Sequence, residues 1–170
     1  MLGKGKWMKW ILCVLLYSVA TFSYAQIVGQ FHDAQGRLIK MSDLRGKWVI
    51  INYWADWCGG CIEEIPELNR FYEHNKDKNI VIFGVNYDQL PPVYLQQSMR
   101  QIGIEFPVLL EDPRVAWQLG DVSVLPTTFI VNPQGDVMRK IIGPNTEQSL
   151  LKVVQNRLVM KDKIKKTSVG

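Results

Sequence analysis

Seven consecutive residues, Trp48-Val49-Ile50-Ile51-Asn52-Tyr53-Trp54, constrain this chain more than any other segment. Six of the seven are β-branched or aromatic, and only Asn52 is polar. A run of this kind reads as a strand, and since polar residues do not alternate along it, both of its faces must be buried. Ala55-Asp56-Trp57 follows, then Cys58-Gly59-Gly60-Cys61, then Ile62, Ile65, Leu68, Phe71 and Tyr72 at helical spacing. Cys58 therefore falls at a strand-to-helix junction, where unpaired amides and the helix dipole favour a thiolate and lower its pKa from about 8.5. Cys61, one turn further in, is the more buried thiol.

The 170 residues suit one globular domain. The N-terminus has the form of a targeting signal. Lys4, Lys6 and Lys9 precede an apolar run from Ile11 to Phe22, and Ser23-Tyr24-Ala25 places small residues where a signal is cut. Residues 1–25 are expected to be removed, leaving Gln26 as the first mature residue. The alternative is a retained anchor, for which a twelve-residue run falls short of the roughly 20 that span a bilayer. Cys13 lies inside the signal and leaves with it.

An exported chain can keep disulfides, so the two remaining cysteines are either a structural staple or a redox pair. A bond across two residues closes so small a loop that it constrains little of the unfolded chain. The redox pair is the better reading. The formal charge of +4 sits at the two ends, in the leader lysines and in Lys161, Lys163, Lys165 and Lys166. Between them acidic residues slightly outnumber basic ones, which argues against a nucleic-acid partner. Residues 26–160 are the expected domain and 161–170 a basic, disordered tail.

The remaining pattern alternates in kind. A hairpin over 29–40 turns at Gln35-Gly36. Ile80 to Val85 is a second buried strand, and Pro91-Pro92 opens a helix that runs to Ile102 and stops at Gly103. Phe106 to Leu110 is a short extended piece, and Pro113 to Leu119 a short helix. Thr127 to Val131 and Val137 to Ile142 flank Asn132-Pro133-Gln134-Gly135-Asp136 as a hairpin. Asn145, with Gln148 three residues on, is expected to cap a final helix with an apolar face at Leu150, Val153, Val154 and Leu158.

Asn52 through Cys61, with Glu64 and Pro66 after them and Leu125-Pro126-Thr127-Thr128-Phe129 downstream, resembles the thioredoxin superfamily, and more narrowly its exported TlpA/ResA-like thiol-disulfide oxidoreductases. The likeness runs from about Val28 to Met160. It implies an α/β, thioredoxin-like fold: a central mixed β-sheet flanked by helices, with an N-terminal β-hairpin and a central helical insertion at 91–102. It further implies Cys58 as nucleophile, Cys61 as resolving thiol, and Pro126 as a cis proline facing the disulfide. A cis bond would leave the Leu125 backbone, next to Thr127, free to pair with an extended substrate segment. The resemblance also implies client proteins with disulfides, apocytochrome c among the candidates, and a membrane electron donor. No bound cofactor is expected beyond the Cys58-Cys61 dithiol, and a monomer is expected.

Two departures from the wider pattern matter. Asn52 stands where cytosolic thioredoxins bury an acid, and the ResA-like group carries its acid where Glu64 stands, which makes Glu64 the candidate proton acceptor for Cys61. The Gly59-Gly60 dipeptide is unusual between the cysteines. Trp57 is assigned to the rim of the sulfur, Trp54 to packing beneath it and Tyr53 to the core; Pro66 should kink its helix. Asp56, Glu63 and Glu64 should offset part of the helix-terminus effect on Cys58, favouring a reductant over an oxidant or isomerase.

Three rival readings of the cysteines are possible from the residues. Cys58-x2-Cys61-x12-His74 matches three ligands of a zinc finger, yet no histidine follows His74 and a closed site wants four ligands, so no metal is expected. A binding or chaperone module with an inert disulfide is a reading from a different class, and resistance to mild reductant would reveal it. A peroxidase of related fold needs a peroxidatic cysteine without this C-x-x-C.

Overall fold

A computed structural model describes residues 29–155; the expected leader, the boundary at 160 and the lysine-rich tail lie outside them. The elements in chain order are β1 (Gln30–His32), β2 (Leu38–Lys40), a 3-10 turn (Met41–Leu44), β3 (Trp48–Trp54), α1 (Gly59–Asn75), β4 (Ile80–Asn86) and α2 (Pro92–Ile102). They continue with β5 (Val108–Leu109), α3 (Arg114–Trp117), β6 (Thr127–Val131) and β7 (Val137–Ile142). A last helix, α4, occupies 147–155. β1 and β2 form the front hairpin, and the other strands form one mixed sheet in the order β5-β4-β3-β6-β7. Its centre is β3, parallel to β4 and antiparallel to β6.

All seven residues of β3 are buried, as an unbroken apolar run requires. Val49, Ile51 and Tyr53 pack on one face with Phe31 of the hairpin, Leu44 of the 3-10 turn and Trp117 of α3. Trp48 and Ile50 pack on the other with Ile65, Leu68 and Phe71 of α1 and Leu150 and Val154 of α4. A third cluster joins Trp54, Cys58 and Cys61 to Leu95 and Met99 of α2 and to Val108. The inserted helix thus closes the end of the sheet where the cysteines emerge. Gln96 of α2 also donates to the Ala34 carbonyl at 2.8 Å, tying the insertion to the front hairpin.

α1 buries Cys61, Glu64, Ile65, Leu68, Phe71 and Asn75, the three- and four-residue spacing of a single face. Pro66 cannot donate a hydrogen bond to the Ile62 carbonyl, yet α1 runs unbroken to Asn75. Pro66 and Ile62 both lie on the exposed side, where water can take up that carbonyl. Gly103 ends α2 in the left-handed conformation at φ 75°.

The start of α4 departs from expectation. Thr146 makes the cap: its Oγ1 accepts the Ser149 N–H at 3.1 Å, and Ser149 Oγ accepts the Thr146 N–H at 3.0 Å. Asn145 does not cap this helix, because its amide is spent on Thr128 and Glu64 inside the molecule.

Candidate active site

Cys58 is the N-cap of α1, and its Sγ accepts the Cys61 N–H at 3.2 Å. Cys58 and Cys61 form a disulfide. Cys58 retains 7% exposure and Cys61 none, so of the two sulfurs only Cys58 can be reached from outside. No acidic side chain lies in the first turn of α1. Asp56, two residues before Cys58, accepts the hydroxyl of buried Ser98 on α2 at 2.7 Å. Of the three acids expected around the sulfurs, Glu63 is exposed, Asp56 is tied to the insertion and Glu64 is buried.

The rim has one large exposed aromatic. Trp57 is 64% exposed, and its Nε1 donates to Asp88 Oδ2 at 2.7 Å, across to the loop after β4. Trp54 is fully buried in the cluster that contains both cysteines. The Leu125-Pro126 peptide is cis. Neither the N–H nor the C=O of Leu125 has a hydrogen-bonding partner among the described residues. Thr127 is buried, and its hydroxyl donates to the Val124 carbonyl at 2.7 Å, shaping the turn that carries Leu125. A methyl group at Gly60 would sit 3.3 Å from Pro144 Cγ and 3.4 Å from Pro126 Cδ, so both prolines close on the second residue of the disulfide loop. Val124 and Ile142 add exposed apolar surface on the segments leading into these prolines.

Glu64 lies on the same face of α1 as Cys61 and is only 1% exposed. Its Oε1 accepts from Asn52 Nδ2 at 2.7 Å, and its Oε2 from the Asn145 N–H at 2.7 Å. All its donors are neutral amides. Burial pushes its pKa above the ordinary carboxylate value, and these donors offset only part of that. Glu64 and Cys61 are three residues apart, one turn along the same buried face of α1. Tyr53 is core as expected, its hydroxyl donating to Asp112 at 2.8 Å. His74, the third residue of the zinc-finger spacing, pairs with Glu147 at 2.7 Å.

Asp88, Ser98, Thr128, Pro144 and Asn145 belong to this site, and none was singled out for it from the sequence. The residues they meet are 17 to 84 residues away in the chain, and apart from Thr128, within Leu125 to Phe129, no local pattern marks them.

Residues 21–140 match the AhpC/TSA family. The chain belongs to that family. Within it, the chain is 33% identical over 150 residues to the thiol-disulfide oxidoreductase ResA of Bacillus subtilis, covering 82% of this chain and 83% of that protein. Among solved structures, a thioredoxin-family thiol:disulfide interchange protein from Chlorobium tepidum shares the fold, with a TM-score of 0.64 at 24% identity over 74% of this chain and 90% of its own. A secreted thiol-disulfide isomerase from Corynebacterium glutamicum aligns with a TM-score of 0.61 at 26% identity, over 73% and 79%. This AhpC/TSA-family chain is a thioredoxin-fold thiol-disulfide oxidoreductase of the ResA-like kind. No helix of its described residues is long and apolar enough to cross a membrane.

Proposed function

We propose that this oxidoreductase works outside the cytoplasm as a reductant of disulfides in client proteins. The observation that carries the exchange chemistry is the asymmetry of the pair: a reachable Cys58 at the helix N-terminus and a fully buried Cys61 behind it. In the reduced protein, the Cys58 thiolate attacks a client disulfide, forming a mixed disulfide and releasing one client thiolate. Cys61 gives up its proton and attacks Cys58 Sγ, so the second client thiol leaves and the Cys58-Cys61 disulfide remains. Two electrons have passed to the client. The chain then takes two electrons from a donor thiol, for which a membrane protein is the natural source in an exported compartment. The sulfur pair holds the two electrons as a dithiol and gives them up as a disulfide, so no bound cofactor is required.

Glu64 is proposed as the acceptor of the Cys61 proton, supported by its shared helical face and its buried, raised carboxyl group. Trp57, Leu125 and Pro126 are proposed to receive the client, while Thr127, expected to bind it, is fully buried and shapes the turn behind them. The unpaired Leu125 backbone offers one N–H and one C=O to an extended segment, beside the exposed indole and Val124. Trp54, Asn52 and Pro66 support the site without touching the client. Apocytochrome c is one candidate client, carried over from the resemblance to the TlpA/ResA-like group.

The test is trapping. Cys61→Ser should accumulate mixed disulfides with exported proteins, which mass spectrometry would name, while Cys58→Ser should accumulate none. Equal trapping by both variants would overturn the assigned roles. Direction is tested by the reduction potential of the full chain against a glutathione series; a value near about −120 mV, the level of a strong oxidant, would refute the reductant.

A further inference from the structure

Glu64 is one member of a closed ring of four buried side chains drawn from four parts of the chain. Asn52 Nδ2 on β3 donates to Glu64 Oε1 at 2.7 Å and to Thr128 Oγ1 on β6 at 3.0 Å. Asn145 Nδ2, just before α4, donates to the same Thr128 Oγ1 at 3.1 Å and returns to Glu64 Oε2 at 3.4 Å. Asn52 Nδ2 thus spends one hydrogen on the carboxylate and one on the hydroxyl, while Asn145 Nδ2 gives one to the hydroxyl and shares the other between Glu64 Oε2 and the Gly143 carbonyl, both at 3.4 Å.

We propose that Thr128 and Asn145 are positioning residues that keep both amides turned donor-side toward Glu64, so that its carboxylate stays available to accept a proton. An amide presents nitrogen or oxygen to a neighbour with equal ease, and the second partner decides which. Here that partner is Thr128 Oγ1, whose two lone pairs can accept from both amides at once, whereas its single hydrogen could serve only one amide oxygen. Asn52 Oδ1 is buried with no partner among the described residues. Without the hydroxyl acceptor, Asn52 is free to turn that oxygen toward Glu64, an arrangement only a protonated acid can satisfy. The ring therefore favours the ionised acid against the effect of burial.

Among the described residues no charged side chain other than Glu64 enters it. On α1, Glu63 is exposed, Glu67 accepts from Arg70 and from the Glu147 N–H, Glu73 pairs with Lys76, and His74 pairs with Glu147. On β7, Arg139 is exposed and Lys140 donates to the Asp121 carbonyl; on α4, Lys152 is exposed. Tyr53 of β3 donates to Asp112, within the cluster on the other face of the sheet, and Cys61 is held in the disulfide.

The ring bears on exchange only if Glu64 takes the Cys61 proton, as proposed above, so its test does not read exchange. The oxidised full chain, labelled with carboxyl-13C glutamate, is titrated by NMR, with the Glu64 signal assigned by its loss in Glu64→Gln. Asn145→Leu and Thr128→Val, both close in shape to the native residue, should each raise the Glu64 midpoint by about one pH unit, equivalent to about 1.4 kcal/mol. Thr128→Ser, which restores the hydroxyl, should bring it back. Unmoved midpoints in both variants would overturn the proposal, and should Thr128→Val not fold, Asn145→Leu decides alone. Raised midpoints combined with unchanged mixed-disulfide release in Glu64→Gln would uphold the ring and remove Glu64 from the exchange.

Discussion

Gly59 and Gly60 lie side by side at the start of α1, and replacing each by alanine separates two effects that usually arrive together. Both have ordinary helical backbone, so alanine restricts the unfolded chain without strain and should stabilise the fold by about 0.4–1 kcal/mol. At Gly59 nothing lies within 4 Å of the added methyl, so the gain should appear in full. At Gly60 the methyl meets Pro144 Cγ at 3.3 Å and Pro126 Cδ at 3.4 Å, closer than most such contacts, and neither ring can swing aside like the end of a flexible chain. Crowding of this kind costs roughly 1 kcal/mol at the low end of overpacking penalties, enough to cancel the gain. Thermal unfolding of the oxidised full chains should place Gly59→Ala about 2–5 °C above wild type and Gly60→Ala level with it or below. The displaced Pro126 should also slow exchange with protein clients in Gly60→Ala, while Gly59→Ala exchanges at the wild-type rate. Equal stabilisation by both variants would refute the close approach of the two prolines to the disulfide loop.

Gly84→Ala should destabilise by about 1–3 kcal/mol, because the added methyl would lie 3.0 Å from Trp54 Nε1, 3.0 Å from Val108 Cγ2 and 3.1 Å from Phe106 Cε2, all buried. An unchanged urea midpoint would contradict that packing. Glu64→Gln should alter how stability depends on pH. The native acid has a pKa raised above the ordinary 4.5, so its contribution is complete below that pH and is lost as pH rises through the native value. Urea unfolding between pH 4 and 8 should show Glu64→Gln gaining on wild type as pH rises, by about 1.4 kcal/mol for each unit of elevation; parallel curves would show that Glu64 is not raised.

What the sequence by itself determined is what its neighbours along the chain could settle. The run Trp48 to Trp54 had to be a strand covered on both faces, because no polar alternation leaves one face for water. The spacing of Ile65, Leu68 and Phe71 made the next segment a helix, which put Cys58 at the junction and Cys61 one turn inside. The Gly103 stop and the turn at Gln35-Gly36 were legible for the same reason, since backbone conformations of this kind are chosen within a few residues. The resemblance in Asn52 to Cys61 and Leu125 to Phe129 added the cis proline. Asn145 shows where local reasoning ends. Three residues before Gln148 it has the form of a helix cap, yet the tertiary structure brings Glu64, 81 residues away, within 2.7 Å of its N–H, and the neighbouring Thr146 takes the cap. Likewise, nothing in the chain around Thr128, Asp88 or Ser98 records that they face Asn52, Trp57 and Asp56. Sheet order and helix docking decide those meetings, and a buried polar group must take whatever partner the fold places within reach, because leaving it unpaired costs about 1–3 kcal/mol.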